Sequence, residues 1–524
     1  MTKGKDGGPA MSSFFSIADV LPRAHAYYPD RLAVWDAESQ FTYSQLFRRV
    51  AALAAGLAAL GLKRSDRLAI LDVNSFRYLE AYYAAAHGGF VLVPLNARLS
   101  APELEYILND AGATILLAAK PFVPIAEAIR PKLTATETIV AYGGRPYPAG
   151  FEDYEAVIAG AAPGAQVAIA PDDLCQIYYT SGTTGRPKGV CLTYANMTAS
   201  MFDSAVGLAL TYDDVWMHAA PMFHLVDAWS IWAMPLLGGA QVPLPFEPEL
   251  FMKTAERTRT SAVALPPTLI NMVINHPKLS DFDLSKLRMI MFGGSPTPLG
   301  LLQKAADILP TAYIHAYGIT ETSGIVTLLR SGDIASKPGA AGHPVAHIRA
   351  AVIDDEGNRL AAKKVGEVAI GGQRVMQSYW NKPEATREVL RDGWYHTGDM
   401  GYFDDENNLY IVDRKKDMII TGGENVYSVE VESVISTHPA VFEVAVIGVP
   451  DARWGEAIKA IVVLRPNAQA SEEDIISFCR NKIAGYKIPK SIEFSSEALP
   501  KTGPGKIAKR QLRDRYWQDR AVKI

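Results

Sequence analysis

Apolar positions recur at helical spacing early in the chain. Leu46, Val50, Leu53, Leu57 and Leu60 lie three or four residues apart, and Gly61 follows. That period predicts an amphipathic helix over Tyr43–Leu60, stopped at the glycine. The period then changes. Leu68–Leu71 and Phe90–Pro94 are short continuous apolar runs, as buried strands are, and Phe76–His87 between them predicts a second helix. Helices alternating with buried strands predict α/β layers on parallel sheet. The alternation returns through Val263–Leu287 and Met289–Phe292, while Gly143–Gly150 and Ala161–Gln166 read as connections inside the same large unit.

Beyond about residue 350 the pattern shifts. Ala350–Asp354, Gly366–Ile370 and Leu409–Val412 read as strands, separated by turn residues such as Asp392-Gly393 and Glu406-Asn407-Asn408. A charged run follows, Asp413-Arg414-Lys415-Lys416-Asp417. Past it lies a smaller unit with helices expected over Ser428–Ser436 and Glu472–Ile483 and strands over Val441–Val449 and Ala457–Leu464. The expected architecture is α/β: a large N-terminal domain with parallel-rich sheets, residues 1–413, and a small α+β C-terminal domain, residues 414–524. The competing reading of the charged run is a solvated hairpin loop.

Composition narrows the class. A chain of 524 residues exceeds what one core usually organises, which supports two domains. A hydrophobic content of 48% excludes general disorder, and a net charge of −4 argues against a broad nucleic-acid footprint. Cys175, Cys191 and Cys479 form no C-x-x-C pair, so a reducing compartment without disulfides is expected. His343 and His347 are four apart, but Pro344 argues against one helix carrying both, so they read as loop histidines and not as metal ligands. Residues 1–10 do not resemble a signal peptide, and the apolar stretch Trp229–Leu237 ends at Gly238-Gly239, too short to span a bilayer. A cytoplasmic protein is expected.

Candidate chemistry begins between Tyr178 and Val190, which read Y-Y-T-S-G-T-T-G-R-P-K-G-V. Thr180, Ser181, Thr183 and Thr184 offer hydroxyls. Gly182 and Gly185 let backbone N–H groups approach an anion, and Lys188 adds a point charge. A solvated loop has the same composition. Further segments carry similar ambiguity singly. In His315–Gly324, Tyr317 could stack on a base, Thr320 could donate to a phosphate and Glu321 could hold Mg²⁺. In Tyr395–Asp399, Asp399 after a glycine turn could accept ribose hydroxyls or simply cap the turn. Thr421–Tyr427 reads as a loop able to pack closely on another backbone, and Lys506 sits in a Pro/Gly-constrained segment.

The ordered set Y-T-S-G-T-T-G-x-P-K-G, Y-G-x-T-E, Y-x-T-G-D, D-R-x-K-D and P-x-T-x-x-G-K resembles the adenylate-forming superfamily, which includes the acyl-CoA synthetases. The resemblance runs from about Ser16 to Leu512. It implies the acyl-adenylate-synthetase fold with a mobile small domain, and ATP/AMP, Mg²⁺ and coenzyme A as cofactors. Thr180, Ser181, Gly182, Thr183, Thr184 and Lys188 are implied to hold the β- and γ-phosphates. Gly294, Ser295, Pro296 and Tyr317 are implied to frame adenine, and Thr320 to meet the α-phosphate. Glu321 is implied to bind the metal, and Asp399 and Arg414 the ribose. His224 is implied beside the carboxylate, Lys506 as the catalytic lysine of adenylation, Lys416 as the hinge, and Gly422 and Gly423 along the CoA tunnel.

Three positions depart from the usual pattern. Tyr194 stands where many relatives have His, Ser295 where Ala is commoner, and Ser428 where Pro is commoner. None removes a charged catalytic group. Pro221–Gly239 is expected to supply much of the acyl pocket, with Trp229 and Trp232 as walls or as plain core. It holds no Arg or Lys, which disfavours a dicarboxylic acid. The text around Leu265–Pro277 resembles bacterial fatty-acyl-CoA synthetases, so a medium- or long-chain fatty acid or another bulky apolar acid is favoured, with aromatic acids next. Only 18 residues follow Lys506, so free CoA is the expected acceptor, with a carrier protein as the alternative. A homodimer is compatible with this reading. A specialised half-reaction enzyme and an inactive adenylate-binding protein are the competing classes, the latter opposed by intact Lys188, Glu321, Asp399, Arg414 and Lys506.

Overall fold

The computed structural model describes residues 14–36, 39–180, 186–294, 297, 299–422, 424–451, 453–480, 482–501 and 507–517. The predicted early helix spans Tyr43–Ala59, opened by a capping box in which Thr42 and Gln45 satisfy each other's backbone N–H groups. The helix Phe76–Gly88 is buried at nearly every position, Arg77 excepted. A helix buried all round needs partners on every side, and this one, FRYLEAYYAAAHG, lies between two sheets.

In the first sheet, Val215–His218, Ala240–Pro243, Ala262–Ala264, Met289–Gly293 and Ala312–Ile319 run parallel. An antiparallel ribbon continues it through Gly324–Leu329, Ala340–Pro344, Leu409–Arg414, Trp394–Phe403 and Gly366–Gly371. The second sheet places Arg67–Leu71, Val91–Pro94, Ala113–Ala119 and Thr138–Tyr142 parallel and ends in the hairpin Leu174–Thr180/Lys188–Thr193. Successive strand residues face opposite ways, so each sheet feeds two cores. Trp216, Met289 and Met291 join Leu68, Ile70 and Leu92 in the shared central core. Met217, Ile290 and Phe292 face an outer helical layer on one side, and Ala69, Leu71 and Val93 face another on the opposite side.

The small C-terminal domain is a third sheet, Ile419–Thr421, Glu424–Val426, Gly455–Leu464, Val441–Asp451 and Ser491–Ser495, packed on Ser428–Ile435 and Glu472–Cys479. The last of these helices stops at Cys479, short of the predicted Ile483, because Arg480 is extended at its C-cap. His343 lies in the strand Ala340–Pro344 and not in a loop, while His347 lies in the following turn with its Nδ1 2.7 Å from Asp203 Oδ1. The three cysteines are buried and unpaired with one another. Among the described residues, no helix is long and apolar enough to cross a membrane.

Candidate active site

The segment Tyr178–Val190 is the end of a hairpin whose strands pair Thr180 with Lys188. Ser181, Gly182, Thr183 and Thr184 lie outside the described residues. A short strand, Ser378–Tyr379, adds to this hairpin and sets Tyr379 opposite Val190. Lys188 Nζ then sits 5.0 Å from the centre of the Tyr379 ring. The Tyr379 hydroxyl donates to Glu321 Oε1 at 2.8 Å. Burial, then the Glu321 charge, push the Tyr379 pKa up, so the phenol stays a donor. One ring therefore joins the hairpin cation to the carboxylate. Glu321 also accepts at its backbone carbonyl from Met376 N, 2.8 Å.

A second cluster forms where Asp399 and Arg414 face each other across paired strands. Arg414 Nε lies 3.0 Å from Asp399 Oδ1, and the Tyr317 hydroxyl donates to Asp399 Oδ2 at 2.6 Å. Asp399 was expected after a turn; it lies inside the strand Trp394–Phe403. Gly398, at φ +69°, kinks that strand without ending it. The kink is pinned by Asp399 N donating to Thr397 Oγ1 at 2.9 Å and Gly398 N donating to Glu367 Oε1 at 3.1 Å. Asp399 raises the Arg414 pKa; burial and then Asp399 raise that of Tyr317.

Tyr317 lies on Ala312–Ile319, and the neighbouring strand Met289–Gly293 presses so close that a Cβ on Gly293 would fall 2.0 Å from Ala316 O. Gly294 follows at φ +80°, while Ser295 and Pro296 lie outside the described residues. Thr320 and Glu321 form one 3-10 turn after the strand, closed by Ser323 N on Thr320 O at 3.0 Å.

His224 is half-buried in a turn-rich segment, its ring 4.4 Å from that of Phe223. Its carbonyl accepts from Asp227 N and Ala228 N at 3.2 and 3.1 Å. A Cβ on Gly324 would come 3.3 Å from Leu225 O, so this segment borders the Glu321 turn. Trp229 and Trp232 are 0% and 1% exposed and pack as core. Trp229 meets Trp216 edge-on at 4.9 Å, and Trp232 meets Tyr82 and Tyr83 edge-on. Under them runs a polar chain that sequence reasoning missed. Asp227 Oδ2 is 2.6 Å from His218 Nδ1, His218 Nε2 is 3.1 Å from Gln241 Oε1, and Gln241 Nε2 donates to the Tyr83 hydroxyl at 2.8 Å. Its only trace in the sequence is a polar residue inside each of two apolar strands, W-M-H and A-Q-V. Tyr379 was missed for a different reason: it belongs to no motif and gains its place by strand pairing.

Lys416 lies exposed in the turn after Leu409–Arg414, its carbonyl accepting from Arg513 Nη1 at 2.7 Å. The expected loop Thr421–Tyr427 is instead a hairpin, Ile419–Thr421 with Glu424–Val426. Gly422 turns it at φ +60°, and a Cβ there would fall 2.8 Å from the Trp454 ring. Gly423 and Lys506 lie outside the described residues, but Lys501 and Ile507 on either side of Lys506 form an antiparallel bridge.

The donor set suits an anionic, hydroxylated ligand. Lys188 and Arg414 supply positive charge, and Asp399 supplies acceptors. Among the described residues no group of three or more His, Cys, Asp or Glu could hold a metal. Glu321 alone fits an ion such as Mg²⁺, which commonly binds one carboxylate together with substrate phosphates.

A large α/β domain bearing these clusters, followed by a small domain, is the architecture of the adenylate-forming ligases. The chain belongs to the AMP-binding enzyme family: the AMP-binding enzyme domain matches residues 21–380, and the AMP-binding enzyme C-terminal domain matches residues 430–506. It is 38% identical over 491 residues to a feruloyl-CoA synthase of Amycolatopsis sp, covering 93% of this chain and 96% of that protein. It is 37% identical over 500 residues to a long-chain-fatty-acid–CoA ligase of Mycobacterium tuberculosis, covering 95% and 97%. The solved anthranilate CoA ligase AuaEII in complex with anthranoyl-AMP superposes with a TM-score of 0.88 at 29% identity, covering 97% and 98%. The chain is an AMP-forming acid–thiol ligase whose nucleotide is ATP/AMP.

Proposed function

We propose that this enzyme activates a bulky apolar carboxylic acid, a medium- or long-chain fatty acid foremost, as its acyl-adenylate and transfers the acyl group to coenzyme A. The observation that carries the adenylation reading is the pair of clusters Lys188–Tyr379–Glu321 and Tyr317–Asp399–Arg414; the apolar acid is supported by Pro221–Gly239, which holds no Arg or Lys. In this reading Thr180, Ser181, Gly182, Thr183, Thr184 and Lys188 hold the β- and γ-phosphates. Thr320 meets the α-phosphate, Gly294, Ser295, Pro296 and Tyr317 frame adenine, and Asp399 and Arg414 hold the ribose. Glu321 is the protein ligand of Mg²⁺, which when bound neutralises phosphate charge.

The chemistry needs that arrangement. A carboxylate is repelled by the triphosphate it attacks, so fixed positive charge must stabilise the in-line displacement at the α-phosphorus. The carboxylate oxygen bonds to that phosphorus as pyrophosphate leaves. Lys506 bridges carboxylate and phosphate in this step, with His224 beside the carboxylate. In the second step the CoA thiol, giving up its proton, attacks the acyl carbon and AMP leaves. Lys506 is dispensable there, and Gly422 and Gly423 line the pantetheine approach. One site serves both steps when the small domain, the chain beyond Lys416, re-docks about that hinge.

An aromatic acid is the second reading, favoured by the likeness to a feruloyl-CoA synthase and an anthranilate CoA ligase; a carrier-protein thiol is the alternative acceptor. Acid-dependent pyrophosphate exchange across a panel of fatty and aromatic acids, followed by mass detection of the acyl-CoA, tests the proposal. Strongest exchange with fatty acids is expected. A maximum with ferulate or anthranilate reassigns the acid, and no exchange with any acid overturns the reading. Lys506→Ala is expected to slow acyl-adenylate formation about 100-fold or more. It should leave CoA transfer from supplied acyl-adenylate near its original rate; equal loss of both steps removes Lys506 from the adenylation role.

A further inference from the structure

Ser428 is fully buried at the start of the helix Ser428–Ile435. Its backbone N–H and its hydroxyl both donate to Asp413 Oδ2, the hydroxyl at 2.7 Å. Lys509 Nζ donates to Ser428 Oγ at 2.6 Å and pairs with Glu432 Oε1 at 2.7 Å. The same Glu432 oxygen accepts from Val446 N at 2.7 Å, and Asp413 Oδ1 accepts from Arg414 N at 2.7 Å. A proline at 428 would lack both the N–H and the hydroxyl, so the set depends on serine.

The charges are held in place. Burial pushes the carboxyl pKa of Asp413 and of Glu432 up, Lys509 acting against it in both. Burial also opposes the Lys509 charge, but Glu432 and Asp413 outweigh it and hold the Lys509 pKa above its ordinary value. Buried polar sets whose groups are all matched specify one arrangement more than they add stability.

The position of this set is unusual. Asp413 and Arg414 are consecutive in one strand, so their side chains face opposite ways. Arg414 reaches Asp399 in the large domain, and Asp413 reaches Ser428 in the small one. Asp413 precedes Lys416; Ser428, Glu432 and Lys509 follow it. Lys509 also opens the helix Lys509–Asp514, whose Arg513 donates to the Lys416 carbonyl.

We propose that Asp413, Ser428 and Lys509 form a latch across the hinge that positions the small domain for one of the two half-reactions. The proposal rests on the two-step reading above. Rotation about Lys416 separates Ser428 and Lys509 from Asp413, so the latch must open between steps. Its strength then sets the ratio of the two rates. Ser428 and Lys509 are positioning residues: they touch no substrate.

The test measures acid-dependent pyrophosphate exchange and CoA transfer from supplied acyl-adenylate in the full chain, for Ser428→Ala, Lys509→Met and Lys509→Arg. Dodecanoate, ferulate and their adenylates serve as probes. Ser428→Ala and Lys509→Met are expected to change the ratio of the two rates by about ten-fold or more, with Lys509→Arg restoring it. Equal loss of both activities, or a ratio within about two-fold of the parent, overturns the latch. Amide hydrogen exchange provides an arm that needs no substrate. Ser428→Ala should speed exchange in peptides covering 409–418 and 507–517 and leave the second sheet of the large domain unchanged; unaltered exchange overturns the latch as well. If the parent enzyme activates no acid, the two-step reading fails, and hydrogen exchange alone decides whether the latch exists.

Discussion

At the scale of single residues, each cluster pairs a carboxylate with a phenol. Tyr317 donates to Asp399 while Arg414 holds the other carboxylate oxygen, so Asp399 is aimed before any ligand arrives. Tyr317→Phe keeps the ring and removes the donor. A hydrogen bond to a charged group contributes about 1.5–3 kcal/mol, so AMP affinity measured by calorimetry should fall about ten-fold or more. Unchanged affinity would detach the phenol from nucleotide binding. Asp72 gives a pH-dependent case. It is buried and accepts from Val73 N, Ser75 Oγ and the Tyr142 hydroxyl at 2.7, 2.6 and 2.9 Å. Burial nevertheless dominates and pushes its pKa from 3.8 up to about 6. Between those values the folded chain binds more protons than the unfolded one, so this group's contribution to stability rises as pH falls through the window and is lost above it. Asp72→Asn has no such titration. In urea unfolding, the stability of the variant relative to the parent should therefore improve by about 2 kcal/mol between about pH 4 and pH 7. A pH-independent difference would contradict the raised pKa.

At the scale of elements, backbone geometry decides where the motif residues point. The strand Trp394–Phe403 carries Asp399 to Arg414 only because Gly398 adopts a left-handed conformation within it. A Cβ at Gly398 would meet nothing within 4 Å, so the penalty of Gly398→Ala is purely conformational. It should destabilise the fold by about 1–2 kcal/mol in denaturant melts and weaken AMP binding through the shifted Asp399. Retained stability would show that the kink is not needed. The helices and buried strands of the large domain were legible from apolar period, because burial dictates that period. The strand Ser378–Tyr379 was not, since two residues carry no period. Its place comes from pairing with the hairpin.

At the scale of the whole molecule, two sheets must be held in register for the site to exist. Asn74 follows the strand Arg67–Leu71 of the second sheet. Its Nδ2 donates to His218 O, Ala220 O and Leu244 O at 2.7, 2.8 and 3.2 Å, and its Oδ1 accepts from Met222 N at 2.8 Å. One buried amide thus ties the second sheet to the first beside the His224 segment. Asn74→Ala leaves several backbone groups unpaired, each costing about 1–3 kcal/mol. A loss of about 3 kcal/mol in unfolding free energy is expected, together with a raised KM for the acid. A loss below about 1 kcal/mol would mean that the sheets are held by apolar packing alone.

The sequence by itself determined the family and the α/β class with a large and a small domain. These are properties of local pattern and motif order, which survive without knowledge of contacts. Only the tertiary structure decided that Tyr379 joins Lys188 to Glu321, that Trp229 and Trp232 pack as core, and that Ser428 reaches Asp413 and Lys509. Those relations link residues from 15 to more than 100 positions apart, and nothing in local period or composition encodes which partner a buried polar group will meet.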